Sequence, residues 1–158
     1  MTWTPEQATQ ELLQILPLLN RMVGAEVRAV AGEDTTMAQY RVLAQLAEEP
    51  RTLSVLARWR RVSLQSMSGL VQALVERGWV ERMPDPRDRR QQLLQLTGRG
   101  HEHYRHAQTH ILRRLIPLMA ALTSGELEAV AQALPALGRV FAPADEDGAE
   151  DRLEALPE

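Results

Sequence analysis

The sequence predicts a mainly α-helical protein with one small β-hairpin. Two observations lead to this fold class. Apolar residues recur at three- and four-residue spacing along most of the chain, and one central stretch alternates apolar and polar residues on both sides of a basic turn. The first pattern is that of amphipathic helices and the second that of two paired strands. We expect six helices, with the hairpin between the fourth and the fifth.

Helix starts are marked by capping boxes, in which a threonine is followed three residues later by Gln or Glu. Three such starts are present: Thr4 with Gln7, Thr36 with Gln39, and Thr123 with Glu126. They predict helices over about 5–31, 36–48 and 124–141. Pro50 ends the second of these, because the residue before a proline avoids the α region.

The middle of the chain predicts two short helices, the hairpin and a fifth helix. The helices are expected over about 53–60 and 64–77, the strands over 79–83 and 92–97, and the fifth helix from Thr97 to about 121. The tip of the hairpin, PDPRDRR over 84–90, is rich in proline and arginine. Pro117 and Pro135 lie inside later apolar helical patterns, where each should kink its helix or mark a boundary.

Charge is distributed unevenly along the chain, although the formal net charge is only −3. All 18 basic residues are arginine. Residues 51–114 hold 13 arginines against five acids, a net charge of +8, whereas residues 145–158 hold seven acids against Arg152. A basic middle segment indicates a polyanion as partner, and the acidic tail is expected to be solvated or disordered.

Several classes of protein are excluded by what the sequence lacks. The absence of cysteine excludes disulfide scaffolds, thiolate zinc sites and thiol-based redox sensing. No apolar run reaches membrane-spanning length, and the N-terminus lacks a secretory signal, so we expect a cytoplasmic protein without a membrane partner. No catalytic motif or phosphate loop is present, so neither an enzyme activity nor a cofactor is predicted.

This order of elements predicts a winged helix-turn-helix, in which two short helices are joined by a tight turn and are followed by a hairpin with an arginine-rich tip. Its second helix fits the major groove of double-stranded DNA, and its wing reaches the flanking minor groove, whose negative potential attracts arginine. The recognition helix opens with SLQSMS over 63–68, after Arg58, Arg60 and Arg61. Its buried face is expected to consist of Leu70, Val71, Leu74 and Val75.

The run LVERGWVERMPDPRDRRQQLLQLTGRG over 74–100 makes the sequence resemble the MarR family of bacterial transcription regulators. Residues 85–90 match the D-x-R-D-x-R wing signature of that family, and Leu96-Thr97 followed by Gly100 matches the LT..G that opens the next helix. The resemblance implies a homodimeric regulator that binds a pseudo-palindromic operator. It further implies a repressor that a small phenolic or aromatic acid releases from DNA.

The resemblance also assigns roles to individual residues. Arg90 is expected in the minor groove, held by Asp88 through a charge-assisted hydrogen bond, while Asp85 and Arg87 brace the wing. The other residues expected at the DNA are Ser63, Gln65, Ser66 and Ser68 on the recognition helix, together with Arg58 and Arg61 before it.

Four residues depart from the family pattern. Gly69 and Ala73 stand where members often carry polar or basic side chains, which reduces the base contacts expected of this helix. Arg60 and Arg61 stand where the family usually has an apolar residue and a turn glycine, which leaves the geometry of the turn open. Gly69 and Ala73, together with the acidic tail, leave an interaction module without DNA binding as an alternative function.

The resemblance divides the chain into four parts. These are an N-terminal dimerisation helix (1–35), the winged helix-turn-helix domain (36–97), the C-terminal dimerisation helices (98–142) and the acidic tail (143–158). Apolar stripes run along the dimerisation helices. Some of their residues must belong to the core of the chain itself, but helices that extend beyond the small winged domain need a partner to cover them. The stripes are Leu12, Ile15, Leu19 and Met22; Ile111, Leu112, Leu115, Leu118 and Leu122; and Leu127, Val130, Leu134, Leu137 and Phe141.

Members of the family often bind aromatic acids or phenols between the dimerisation helices and the DNA-binding domain. An anionic aromatic ligand needs apolar walls and a cationic or hydroxyl group. By position, the candidate effector residues are Tyr40, Arg41, His101, Tyr104 and Arg105.

All four histidines lie within residues 101–110. His106 and His110 share one helix face, and His103 lies a turn earlier, a spacing that can chelate zinc. A protein zinc site needs three or four ligands, however, and no cysteine or matching acidic pair is evident nearby. We therefore predict solvated histidines and no metal site, with a metal-responsive regulator as the alternative.

Overall fold

The computed structural model describes residues 3–31 and 35–142, which fall into two compact units that divide between Ile116 and Pro117. The elements are α1 (Pro5–Ala31), α2 (Met37–Glu48), β1 (Arg51–Thr52), α3 (Leu53–Arg60), α4 (Leu64–Glu76), β2 (Val80–Pro84), β3 (Gln92–Leu96), α5 (Gly98–Met119) and α6 (Ser124–Phe141). The predicted fold class is confirmed, and the helix bounds lie within two residues of those expected. The predicted acidic tail, 143–158, lies outside the described residues.

The predicted helix starts are complete capping boxes. The Thr36 hydroxyl accepts a hydrogen bond from the Gln39 N–H at 3.2 Å, and the Gln39 side chain accepts one from the Thr36 N–H at 3.0 Å. The same pair of bonds joins Thr4 to Gln7 and Thr123 to Glu126. Each box satisfies two N–H groups for which the first helical turn has no acceptor, so these starts are encoded locally.

The wing hairpin belongs to a three-stranded antiparallel sheet in the order β1–β3–β2. Across the hairpin Val80 pairs with Leu96 and Pro84 pairs with Gln92, while Arg51 of β1 pairs with Leu94. Strand β1 was not predicted. It spans two residues and therefore carries no alternation that a sequence pattern could reveal.

The core of the winged-helix part is formed by α2, α3, α4 and the sheet. Its largest fully buried side chains include Val42, Leu43, Leu56, Met67, Val71, Leu74 and Val80. Met67 belongs to the buried face of α4, although it lies within the polar run SLQSMS at the start of the helix and was not among the residues predicted to be buried. Burial of a side chain of this size contributes about 1.5–3 kcal/mol, so the core fixes which face of α4 stays outside.

A second group of contacts joins α1 to α5. Glu26 accepts hydrogen bonds from Arg114 Nε at 3.2 Å and pairs with His110 Nε2 at 2.8 Å. Val27 and Ile111 are buried in the same two helices. Ile111 is therefore one of the stripe residues that belong to the core of the chain, because 6% exposure leaves it little surface for a partner.

Neither Pro117 nor Pro135 ends its helix. α5 continues past Pro117 to Met119, and α6 contains Pro135 in its interior. A proline inside a helix removes one backbone hydrogen bond and crowds the preceding turn, which can kink a helix without ending it. The division between the two compact units nevertheless falls at Pro117.

Apolar side chains on α1 and α6 lie open to solvent. On α1 the exposed set is Leu13, Ile15, Leu16, Leu18 and Leu19; on α6, described by itself, it is Leu127, Leu134, Leu137, Val140 and Phe141. No residue of α6 is buried. Exposed apolar surface of this extent is typical of an interaction face. Within the described residues, no helix is long and apolar enough to cross a membrane.

Candidate DNA interface

The turn between α3 and α4 keeps a tight helix-turn-helix geometry despite its two unusual arginines. Arg61 caps α3 in the left-handed region, with φ 54° and ψ 45°, and its N–H donates to the carbonyls of Ala57 and Arg58. It is the one non-glycine residue with positive φ among residues 3–31 and 35–142. Arg61 thus adopts the backbone conformation that a turn glycine provides elsewhere, at a cost of about 1–2 kcal/mol.

The recognition helix α4 begins at a serine that acts as its cap. The Ser63 hydroxyl accepts a hydrogen bond from the Ser66 N–H at 3.1 Å and donates one to the Ser66 hydroxyl at 2.9 Å. Ser63 is thus committed to the helix start. Gln65 and Ser66 are exposed, whereas Ser68 is half-buried.

The exposed start of α4 also carries an apolar side chain that the sequence analysis did not select. Leu64 is 56% exposed. It lines an open cavity of about 320 Å³ between the start of α4, the residues around β1 and the wing strands. Arg82 of β2 lines the same cavity and donates to the Gln72 side chain at 3.3 Å. Leu64 lies three residues before Met67 and continues the three- and four-residue spacing of the buried face, so the spacing predicts burial and gave no signal of its exposure.

The wing tip is closed by two aspartates that bind their own backbone. The Asp85 carboxylate accepts a hydrogen bond from the Arg87 N–H at 2.8 Å, and the Asp88 carboxylate accepts one from the Arg90 N–H at 3.0 Å. Backbone bonds from Asp85 to Gln91 and from Gln91 to Asp88 complete the turn. Asp85 therefore braces the wing as expected, while the contact of Arg87 is made through its backbone.

Arg90 projects from this wing tip into solvent while its guanidinium is oriented by Asp88. The two side chains are joined by a 3.2 Å bond from Nε to the carboxylate, and the Arg90 side chain is 93% exposed. Backbone and side-chain hydrogen bonds from Arg90 hold the pKa of the Asp88 carboxyl below its usual value. The carboxylate is thus charged at neutral pH and holds the Arg90 side chain through Nε.

The remaining predicted arginines surround the same face. Arg58 and Arg61 are exposed next to the start of α4, and Arg87 is exposed on the wing. Arg60 is half-buried and donates to the Ala38 carbonyl at 3.4 Å, and burial followed by the nearby charge of Arg41 lowers its pKa. The surface formed by the start of α4 and the wing therefore carries exposed arginines, as the charge of the sequence predicts.

Of the five candidate effector residues, the structure brings two into contact. The rings of Tyr40 and Tyr104 lie 5.7 Å apart between centroids, at an interplanar angle of 33°. Arg41 donates to Asn20 of α1 at 2.7 Å. His101 and Arg105 are exposed on α5, and Arg105 lines an open cavity of about 370 Å³ along that helix.

The tyrosine pair is poorly solvated. Burial, followed by the proximity of Tyr104 and a hydrogen bond to it, raises the pKa of Tyr40 to about 12. Burial and then Glu48 raise the pKa of Tyr104, against a smaller opposing effect of the bond from Tyr40. Both hydroxyls are therefore protonated at neutral pH.

The histidines that could have chelated zinc have separate partners. His103 stacks on Trp79 with 3.7 Å between ring centroids, whereas His110 pairs with Glu26. His106 is exposed. In the part of the chain that the structure describes, no three histidines or acids are grouped as metal ligands would be.

Comparison with known proteins agrees with this geometry. Residues 33–91 match the sequence model of the MarR family. The transcriptional activatory protein BadR of Rhodopseudomonas palustris is 31% identical over 99 residues, which cover 60% of this chain and 57% of that protein. The chain thus spans little more than half the length of this curated relative.

Solved structures share the fold along most of the chain. RV1404 of Mycobacterium tuberculosis matches with a TM-score of 0.77 and 24% identity over 92% of this chain and 99% of that one. Wild-type MarR of E. coli in its apo form matches with a TM-score of 0.67 and 24% identity, over 87% of this chain and 98% of that one. The transcriptional regulator Tm0710 of Thermotoga maritima matches with a TM-score of 0.60 and 27% identity, over 84% of this chain and 94% of that one. The chain is thus similar to the MarR family of transcriptional regulators, in sequence over residues 33–91 and in fold along most of its length.

Proposed function

We propose that the chain is a dimeric, sequence-specific DNA-binding repressor that a small aromatic acid or phenol releases from its operator. The observation that carries the proposal is Arg90, which is almost fully exposed at the wing tip with its guanidinium oriented by Asp88. An arginine side chain loses about 2 kcal/mol of rotamer entropy when it is fixed, and orientation by Asp88 reduces that cost before DNA arrives.

In the proposed complex, α4 lies in the major groove and the wing lies in the adjacent minor groove. Gln65 and Ser66 face the base edges, since they are exposed on the first turn of α4. Leu64 supplies an apolar contact of the kind that thymine methyl groups accept. Arg58, Arg61 and Arg87 bind phosphates and supply affinity that depends on salt.

Two copies of the recognition helix are needed to read a pseudo-palindromic operator, whose half-sites lie about 34–36 Å apart. The exposed apolar side chains of α1 and of α6 support dimerisation, because each helix has a face that its own unit leaves uncovered. We place the dimer interface on these helices, in line with their predicted role. The regulator would act in the cytoplasm, by binding rather than by catalysis.

For the effector, the Tyr40–Tyr104 pair is the best supported part of the predicted site. Two protonated, poorly solvated hydroxyls can donate hydrogen bonds to a carboxylate or phenolate, and their rings can stack on an aromatic ligand. Arg41, His101 and Arg105 are proposed to supply the positive charge around this pair. Binding would favour a dimer arrangement whose recognition helices no longer fit the operator spacing.

The binding test compares Arg90→Ala with Arg113→Ala, an exposed arginine on α5 that serves as the matched control. Fluorescence anisotropy with DNA from upstream of the protein's own gene should show a loss of about 1–3 kcal/mol for Arg90→Ala and a smaller salt dependence. The control should bind as wild type does. Equal affinity of wild type and Arg90→Ala would refute the wing assignment, and absence of binding would favour the interaction module.

The sign of regulation needs a separate test, because the relative BadR is named as an activatory protein. A reporter gene behind the bound upstream region should be expressed more strongly when this chain is deleted. Added benzoate-type acids should raise expression in its presence and leave the deletion strain unchanged. Lower expression on deletion would make the protein an activator.

A further inference from the structure

Trp79 occupies the joint between the recognition helix, the wing and α5. It lies between Gly78, whose φ of 69° ends α4, and Val80, the first residue of β2. Its N–H donates to the Leu74 carbonyl at 3.0 Å, and its carbonyl accepts from the Thr97 N–H at 3.0 Å. Any displacement of Trp79 therefore acts on α4 and on both wing strands.

One helical turn of α5 is fitted against this joint. Gly100 lies so close to the Trp79 carbonyl that a β-carbon at that position would overlap it. His103 is three residues further along α5, on the same helix face, and its imidazole stacks on the Trp79 indole at 3.7 Å with an interplanar angle of 14°. The Arg77 guanidinium lies 5.1 Å from the centre of the same indole.

The imidazole of His103 is held by this stack and by no hydrogen bond at its buried Nε2. That atom has no partner among the described residues. A histidine is an unusual choice for a position that uses only a flat ring, since Phe would fill it without burying a polar atom. We propose that His103 is a positioning residue, which sets the placement of the wing and of α4 through its stack on Trp79 and releases that placement when it is protonated. The inference rests on the proposed DNA-binding function.

Charge gives the direction of the effect. Burial, then the charges of Arg77 at the end of α4 and of His106 on α5, lowers the pKa of His103. Among the described residues, Arg77 and His106 are the ionisable side chains whose charges act on the ring. Because the stacked state binds the proton more weakly than a solvated histidine, acid favours the unstacked state. The stack is most stable above the ordinary histidine pKa of 6.5 and loses stability as pH falls through the lowered value.

The test measures DNA affinity by anisotropy from about pH 8 to pH 5 at constant ionic strength. His103→Phe keeps a flat ring but cannot take a proton, so at high pH its DNA affinity should be within about twofold of that of wild type. Between high pH and acid, the affinity of wild type should fall by a factor about two to ten times larger than that of His103→Phe. His103→Ala should bind more weakly by a similar factor even at high pH. His106→Gln removes one of the charges that lower the pKa of His103, so its loss of affinity in acid should be smaller than that of wild type and larger than that of His103→Phe.

The outcomes separate this inference from the function on which it rests. Parallel pH profiles for wild type and His103→Phe, or unchanged affinity of a folded His103→Ala, would overturn the positioning role while leaving DNA binding in place. A wild-type protein that binds no DNA at any pH would overturn the proposed function itself.

Discussion

The α-carbon of Gly100 packs against the backbone carbonyl of Trp79, and a β-carbon there would overlap the carbonyl oxygen and carbon. One turn earlier, the Thr97 hydroxyl donates to the Gly78 carbonyl at 2.6 Å and accepts from the Gly100 N–H at 3.0 Å. The LT..G pattern of the sequence thus has a physical cause. Thr97 links the end of β3 to the residues that follow α4 through its hydrogen bond to Gly78. Gly100, which has no β-carbon, lets α5 pack closely against the backbone of Trp79.

Replacement of Gly100 by alanine should therefore destabilise the fold. The neighbouring atoms are backbone and cannot move aside, so we expect a loss of about 2 kcal/mol or more. Urea unfolding should show a lower midpoint at an unchanged slope. Gly98→Ala is the matched control, because its β-carbon would meet nothing within 4 Å. Equal midpoints for the two variants would contradict the close approach of α5 to Trp79.

Arg61 offers a substitution whose effects on stability and on DNA affinity should have opposite signs. Glycine at this left-handed position removes backbone strain of about 1–2 kcal/mol and loses about 0.5–1 kcal/mol to chain entropy. Arg61→Gly should thus raise the free energy of unfolding slightly while it weakens DNA binding. Arg58→Gly, in the interior of α3, should lower stability by about 1 kcal/mol. A lower unfolding midpoint for Arg61→Gly would show that its side chain stabilises the turn.

Local chemistry explains which parts of the fold could be predicted. Capping pairs such as Thr36 with Gln39 act within four residues, so the helix starts were correct. Strand β1 was missed because it exists only through its pairing with β3, a contact over 40 residues of sequence away. Met67 was missed because the polar run around it hid the buried spacing of α4.

In the candidate site, too, contacts between neighbours in the sequence could be predicted, whereas contacts that depend on packing between elements could not. The Asp88–Arg90 bond joins residues two apart, and it forms as the wing signature predicts. The stack of His103 on Trp79 depends on how α5 packs against the wing joint. The spacing within α5 predicted a solvated histidine instead, with a metal ligand as the alternative. The contact between Tyr40 and Tyr104 likewise requires the packing of two helices, so position alone could select these residues but not pair them.

The link between α1 and α5 predicts a dependence of stability on pH. Desolvation opposes the charge of Glu26, but hydrogen bonds from Arg114 and His110 outweigh it and lower the pKa of the carboxyl below 4.5. A carboxyl with a lowered pKa stabilises the fold above its unfolded pKa, and this contribution disappears as pH falls through the lowered value.

Glu26→Gln should therefore unfold at lower temperature than wild type at neutral pH, and the two melting temperatures should converge in acid. Thermal unfolding followed by circular dichroism at a series of pH values measures the difference. Glu11→Gln, an exposed carboxylate on the same helix, is the control and should follow wild type throughout. A constant gap between Glu26→Gln and wild type down to acid pH would contradict the charged pairing.

The tyrosine pair can be titrated directly, because Tyr40 and Tyr104 are the only tyrosines in the sequence. Ultraviolet absorbance should show little phenolate at pH 10, the ordinary pKa, and ionisation of Tyr40 at about 12. Tyr104→Phe should lower the pKa of Tyr40, since both the charge and the hydrogen bond of Tyr104 raise it. Tyr40→Phe should instead raise the pKa of Tyr104, which loses a bond that stabilises its phenolate. Shifts of the same sign in the two variants, with folding verified by circular dichroism, would exclude Tyr40 as the donor to Tyr104.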